Sequence, residues 1–320
     1  MKSALSAMAV GVALACVLNA ASAQGLPPTV TVTQQGNGNT SQAEQIGFGT
    51  GPTRDGGPLA TIVQIGDNNH VGGPGATTGG IFQRAPGFGS EAHIRQNGAG
   101  NNAGITQDGT ALRGGPLEAR ITQVGNANTA VIRQEIVTSS TVTVEQNGAA
   151  NVTSVDQIDS SDTSVQTRQS GTGNRITVRQ RGDVLGGPDI TQSGNGNTAS
   201  TVSDNVFGYG ASIIQIGDMN TANTTQTNTE SILSIMQQGF GNRADVAQAD
   251  GIGDSTTITQ SGNNNRASVS QLGPDGVSQN LISIAQVGNT NTALVRQVGQ
   301  GYAAGVSQTG SGNYTNIYQH

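Results

Sequence analysis

The sequence has little of what fills an ordinary globular core. It contains no tryptophan, aromatic residues make up 3% of its 320 positions, and glycine accounts for 48 of them. Such a composition favours disorder unless a regular pattern allows a small apolar complement to be buried repeatedly. The single cysteine, Cys16, lies in an N-terminal apolar run, so the rest of the chain has none for disulfides or thiolate metal sites.

Positive charge is also scarce. Lys2 is the only lysine, and the formal net charge of -6 becomes -7 once it is removed, which argues against nucleic-acid binding through a general basic patch. We expect His70 in a turn, His93 at an outward strand position and His320 at the terminus, all solvated. Acids, bases and nucleophiles form no cluster along the chain. We therefore predict no enzyme activity and no catalytic, cofactor-binding or metal site.

The first 23 residues have the features of a secretory signal. Lys2 supplies the positive start, "ALSAMAVGVALACVL" the apolar run, and "ASA" at 21–23 the small-residue cleavage site. No other apolar run is long enough to span a membrane. We expect export, with a mature chain of residues 24–320 that forms a single domain.

A repeat dominates the mature chain: a glutamine is followed by glycine two residues on and asparagine five residues on, twelve times. The first glutamines are Gln34, Gln64, Gln96, Gln123, Gln146, Gln169, Gln192, Gln215, Gln237, Gln260, Gln286 and Gln308. The asparagines are Asn39, Asn69, Asn101, Asn128, Asn151, Asn174, Asn197, Asn220, Asn242, Asn265, Asn291 and Asn313. A second glutamine eleven residues after the first occurs as Gln45, Gln107, Gln134, Gln157, Gln180, Gln226, Gln248, Gln271, Gln297 and Gln319. In the remaining two units that offset falls on Gly75 and Ser203.

Side chains alternate within each unit with a period of two. In the ninth unit, Leu233, Ile235 and Gln237 share one parity, "QGFGN" turns the chain, and Ala244 and Val246 continue the inward parity beyond it. No inward position in any copy is charged, as a dry interior requires. Gly/Pro-rich insertions, mainly between residues 46 and 118, indicate loops.

These patterns predict an all-β fold, a β-solenoid of about twelve stacked strand-arc-strand coils with cross-β spacing. Equivalent residues then lie above one another about 4.8 Å apart. A lone buried amide would cost about 1 to 3 kcal/mol. In a stack, each glutamine or asparagine can pass hydrogen bonds to the next, so we predict that these residues form stacking ladders.

The spacing Gln-x-Gly-x-x-Asn-x-Ala-x-x-x-Gln resembles the curlin repeat of bacterial curli subunits. Gln286, Gly288, Asn291, Ala293 and Gln297 match it fully, and the similarity covers nearly the whole mature chain. The resemblance implies a secreted subunit that polymerises into extracellular amyloid fibres at the bacterial surface for adhesion and biofilm matrix. It also implies two partners, a nucleating subunit and an outer-membrane export pore. The last unit lacks basic residues and is more similar to a major subunit than to a nucleator.

Two alternatives stay open: a monomeric secreted solenoid adhesin, and a minor subunit that nucleates fibres. An adhesin needs capped end coils, because an uncapped end is a templating edge. Ile317 and Gln319 keep the inward parity to the last residue but one, so we expect an open C-terminal edge.

Overall fold

The computed structural model describes residues 14–18, 29–46, 58–72, 79–84, 89–109 and 117–320, and within these ranges it consists of strands and turns with no helix. In chain order the strands are β1 (Leu14–Leu18), β2 (Thr29–Gln35), β3 (Thr40–Ile46), β4 (Leu59–Ile65), β5 (His70–Val71), β6 (Ile81–Arg84), β7 (Glu91–Asn97), β8 (Asn102–Asp108), β9 (Glu118–Asn126), β10 (Thr129–Glu135), β11 (Thr141–Ala149), β12 (Val152–Ile158), β13 (Ser164–Thr172), β14 (Arg175–Arg181), β15 (Asp189–Ser193), β16 (Thr198–Asp204), β17 (Ala211–Asp218), β18 (Thr221–Thr227), β19 (Glu230–Phe240), β20 (Arg243–Asn263), β21 (Arg266–Val277), β22 (Leu281–Asn289), β23 (Thr292–Val298), β24 (Ala303–Ser311) and β25 (Tyr314–Gln319).

The strands stack as two parallel columns. One column runs β2, β4, β7, β9, β11, β13, β15, β17, β19, the second half of β20, β22 and β24. The other runs β3, β5 with β6, β8, β10, β12, β14, β16, β18, the first half of β20, β21, β23 and β25. The predicted all-β solenoid is confirmed, with each repeat forming one coil.

The core lies between the two columns and is built from alternate residues. Both columns contribute large side chains, such as Ile213 from the first and Ile132 from the second, and small ones, such as Ala92 and Ala222, all of them buried. This combination lets the two sheets approach closely. The hydrophobic side chains buried in the core are aliphatic, because the chain has few aromatic residues.

The second repeat corrects one sequence assignment. Its second strand is split into β5 and β6, and a Cβ built on Gly72 would lie 2.9 Å from the Cα of Gly80, so the insertion interrupts the strand itself. Gln83 then pairs in register with Gln45 on one side and Gln107 on the other. Assigning this position to Gly75 was wrong, because a fixed offset counts through the insertion. Gly75 itself lies outside the described residues.

β1 falls within the predicted signal segment and pairs in parallel with β3, from Leu14 opposite Ser41 to Leu18 opposite Gln45. It occupies the outer edge of the second column at its N-terminal end. The assignment of residues 1–23 as a signal peptide stays a prediction. In the described parts of the chain, no helix is long and apolar enough to cross a bilayer.

Candidate functional site

The first glutamines form one continuous ladder through the interior. From Gln34 to Gln308, the Nε2 of each donates to the Oε1 of the next at 2.6 to 2.9 Å. The same Nε2 also reaches across the core, as when Gln215 donates to the Thr198 carbonyl at 3.0 Å. Each amide therefore joins its coil to the next and ties the two strand columns together.

The asparagines form a second ladder at the arc. In a typical coil, Asn220 donates from its backbone N to Asn197 Oδ1 at 3.0 Å and from Nδ2 to the Gly239 carbonyl at 2.9 Å. The backbone contact recurs from Asn39 to Asn313 at 2.9 to 3.2 Å. One side chain thus contacts both the coil before it and the coil after it.

The glycine two residues after each first glutamine permits this close stacking. Its φ lies between +101° and +130° in all twelve copies, a region that disfavours other residues. In Gly36 and the ten that follow, an added Cβ would fall 2.0 to 2.2 Å from the carbonyl oxygen of the next coil's glycine. For Gly310, in the last coil, the nearest atom is Asn313 Nδ2 at 3.7 Å.

The second glutamines form a third ladder with a single interruption. Bonds of 2.7 to 3.0 Å connect Gln45, Gln83, Gln107, Gln134, Gln157 and Gln180. Bonds of 2.8 to 3.1 Å connect Gln226, Gln248, Gln271, Gln297 and Gln319. Ser203 pairs in register between Gln180 and Gln226, and its shorter side chain leaves a cavity of about 10 Å³.

Asp183 fills the interruption. It is 1% exposed and accepts hydrogen bonds from Gln180 Nε2 at 3.2 Å, from Val206 N at 2.9 Å and from the Ser203 hydroxyl. Burial raises the pKa of this carboxyl above its ordinary value, and the three donors only partly offset that effect. A buried acid therefore replaces the missing amide at this point in the stack.

Sequence reasoning missed Gln83, Asp183 and a second buried acid, Asp254, whose Oδ1 accepts from Asn280 N at 2.7 Å. The sequence feature that could have pointed to Asp183 is Ser203. A serine at this position leaves Gln180 without a following amide, so Gln180 needs another polar partner. His70 also needs correction. It lies in β5 and not in a turn, with its Nδ1 2.8 Å from Thr40 Oγ1.

The ladders give the stack a direction, because every glutamine donates towards the C-terminal end. At the N-terminal end, Gln45 Oε1 has no hydrogen-bond partner within the described residues. At the other end, Gln308 Nε2 donates to the Thr292 carbonyl at 2.9 Å and to Thr315 Oγ1 at 3.1 Å, and Gln319 Nε2 donates to the Ala303 carbonyl at 3.1 Å, with no further ladder amide of this chain to accept from either. One end thus offers an amide acceptor and the other offers amide donors.

Both end coils also expose part of their inward surface. Val30 and Val32 at one end and Ile317 at the other are only partly buried, although equivalent residues inside the stack are fully buried. In the described chain, the outer edges of β24 and β25 pair with no strand, and neither does the outer edge of β2 from Val30 to Gln35. Such edges present unpaired backbone donors and acceptors beside an apolar strip.

The model of the family described as the curlin associated repeat matches residues 230–273, which include all of β19, all of β20 and part of β21. No curated protein matches the sequence significantly. Within the described residues, no group of three or more histidine, cysteine, aspartate or glutamate side chains is placed to hold a metal ion.

Proposed function

We propose that this chain, which matches the curlin associated repeat over residues 230–273, is the structural subunit of extracellular amyloid fibres, which it builds by adding end to end. The observation that carries the proposal is the direction of the glutamine ladders, which leaves complementary groups at the two ends of the stack. A head-to-tail contact of this kind repeats without closing and produces a filament.

The contact continues the pattern inside the chain. Gln308 of one copy donates to Gln34 of the next, and Gln319 donates to the free Oε1 of Gln45, extending two ladders across the joint. Backbone pairing of β24 and β25 with β2 and β3 covers the exposed inward strips. Each chain then adds twelve coils, or about 58 Å of fibre at the cross-β spacing.

Removal of the signal segment exposes the edge of β3 that takes part in this joint. β1 occupies the edge of β3, and Leu18, opposite Gln45, has no side-chain amide to donate. Cleavage after Ala23 removes β1, so the edge that receives the next copy becomes free only in the mature chain. Polymerisation in this register therefore depends on cleavage of the signal segment.

The proposal also covers the export of the chain, the initiation of the fibre and its role. Export through an outer-membrane pore of the curli type and initiation by a nucleating subunit fit the repeat family, and adhesion and biofilm matrix are the roles of such fibres. A monomeric adhesin or a nucleating subunit is the alternative, and each predicts a different assembly behaviour of the purified chain.

Gly310→Ala tests the joint. An added methyl at Gly310 meets nothing closer than 3.7 Å in its own chain, whereas in a fibre it points at the Gly36 carbonyl of the next copy, about 2 Å away by analogy with the interior glycines. The variant can still dock through its N-terminal coil and then blocks the following addition. We expect a substoichiometric amount to stop elongation of wild-type seeds, followed by thioflavin fluorescence.

Gly312→Ala is the matched control. Its φ of +71° also disfavours alanine, and its Cβ has open space, but across the joint it faces Gly38, which has no side chain. It should add to seeds at nearly the wild-type rate. Equal elongation with both variants, at equal thermal stability, would contradict end-to-end addition in this register.

A further inference from the structure

The outward surface of the first column changes character along the stack. In the last five coils it comprises residues 212–216, 232–238, 255–261, 281–287 and 303–309, which contain no charged residue. We call this surface the neutral face. Its outward side chains are serine, threonine, alanine and glutamine, together with exposed Ile214, Ile216, Ile232, Met236, Leu281 and Val287.

The outward surface of the first column is also uncharged in β2 and β4, and it is charged in the strands between β4 and the neutral face. Earlier in the same column, Arg120 pairs with Glu118 at 3.1 Å and Arg168 lies 3.4 Å from Glu145. On the opposite side of the last coils, the second column carries Arg243, Arg266 and Arg296. The charges beside the neutral face, Asp218 and Glu230, stand at strand ends next to the arcs.

We infer that the neutral face is a lateral interface that pairs with the neutral face of a second copy. Desolvating a charge without a partner costs far more than desolvating serine or threonine. Contact with any charged surface of this chain would bury such charges against a face that offers none in return. β2 and β4 form an uncharged surface of only two coils, so the strand surface of this chain that matches the neutral face in size and lack of charge is the same face of another copy.

The size of the face supports a specific contact. Four strands of seven residues and one of five, about 4.8 Å apart and about 3.3 Å per residue, cover roughly 520 Å² per copy, or about 1,050 Å² in total. That total is near the lower limit for a specific interface. Between filaments it repeats once per chain, so many weak contacts act together. Flat strand faces with small side chains interdigitate in this way in dry sheet-to-sheet packing.

Thr259→Arg tests the inference at the centre of the neutral face. Thr259 is exposed, and it pairs in register with Met236 on one side and Ala285 on the other, so an arginine there lies within the contact. We expect at least a tenfold loss of pairing affinity, on the order of what one unpaired interfacial charge costs. By electron microscopy, fibres should change from paired to single filaments.

Two controls isolate the face. Ser268→Arg places the same charge in the first half of the tenth coil's second strand, on the opposite surface, and should leave pairs intact. Thr259→Asn changes the residue without adding charge and should also leave them intact. Paired filaments of wild-type width in Thr259→Arg would overturn the inference.

The inference stands apart from end-to-end growth. Elongation rate on seeds reports growth, whereas filament width reports pairing, so either can fail alone. If the chain forms no filaments, sedimentation of the folded wild type and Thr259→Arg compares dimerisation directly. A wild type that stays monomeric at every concentration would then contradict the lateral interface.

Discussion

At the scale of the residue, the fold depends on which parity each side chain occupies. Val246 faces inward and is 4% exposed, whereas its neighbour Asp245 faces outward and pairs with Arg243 at 2.7 Å. The polarity of the inward residue affects the stability of the chain, because the stacked coils exclude water from its side chain. The outward residue contributes an exposed ion pair, worth at most about 1 kcal/mol.

Val246→Asp should therefore destabilise the chain by several kcal/mol, since it buries a carboxylate with no partner. Asp245→Asn, one residue away, should change the free energy of unfolding by less than about 1 kcal/mol. Urea denaturation of the two variants as monomers measures both effects. Similar losses of stability would show that the parity does not govern the packing.

At the scale of the element, a ladder is interrupted wherever one coil lacks the amide that the other coils carry. The second glutamine ladder is interrupted where Ser203 replaces an amide, and Asp183 bridges the gap as a buried acid. Because its pKa is raised in the folded chain, folding favours its protonated form. This stabilisation is full below the unfolded pKa of about 3.9 and is lost as the pH rises through that value towards the folded pKa.

Asp183→Asn should remove this contribution. We expect the wild type to lose stability relative to the variant as the pH is raised from acid to neutral, measured by thermal unfolding at several pH values. Asp189→Asn is the control, since its exposed carboxylate lies on the outward surface nearby. A wild type and an Asp183→Asn variant with parallel pH profiles would contradict the assignment of Asp183.

Some ladder positions could be predicted from the sequence alone, and others could not. The positions of Gln215, Asn220 and Ala222 could be predicted because a stacked coil imposes the same offsets on every unit. Gln83 could not, since the insertion falls inside its strand and shifts the count. Asp183 lies in the return arc, where coils differ in sequence and no periodic pattern identifies the side that faces inward.

At the scale of the whole molecule, the stack is a rod with unlike ends and unlike sides. Its ends expose strand edges and carry complementary amides, and the neutral face is an uncharged stretch of five coils on one side. Growth along the axis and pairing across it thus use different residues. Arg and Asp on the remaining surfaces discourage lateral clumping.

Seeded growth of the mature chain, residues 24–320, tests the central claim most directly. Thioflavin fluorescence of the purified chain is followed with and without fragmented preformed fibres. An edge that templates each arriving coil removes the unfavourable first step, so the account predicts a lag phase that seeds abolish. A folded chain that stays monomeric for days with seeds present would contradict it and support the adhesin.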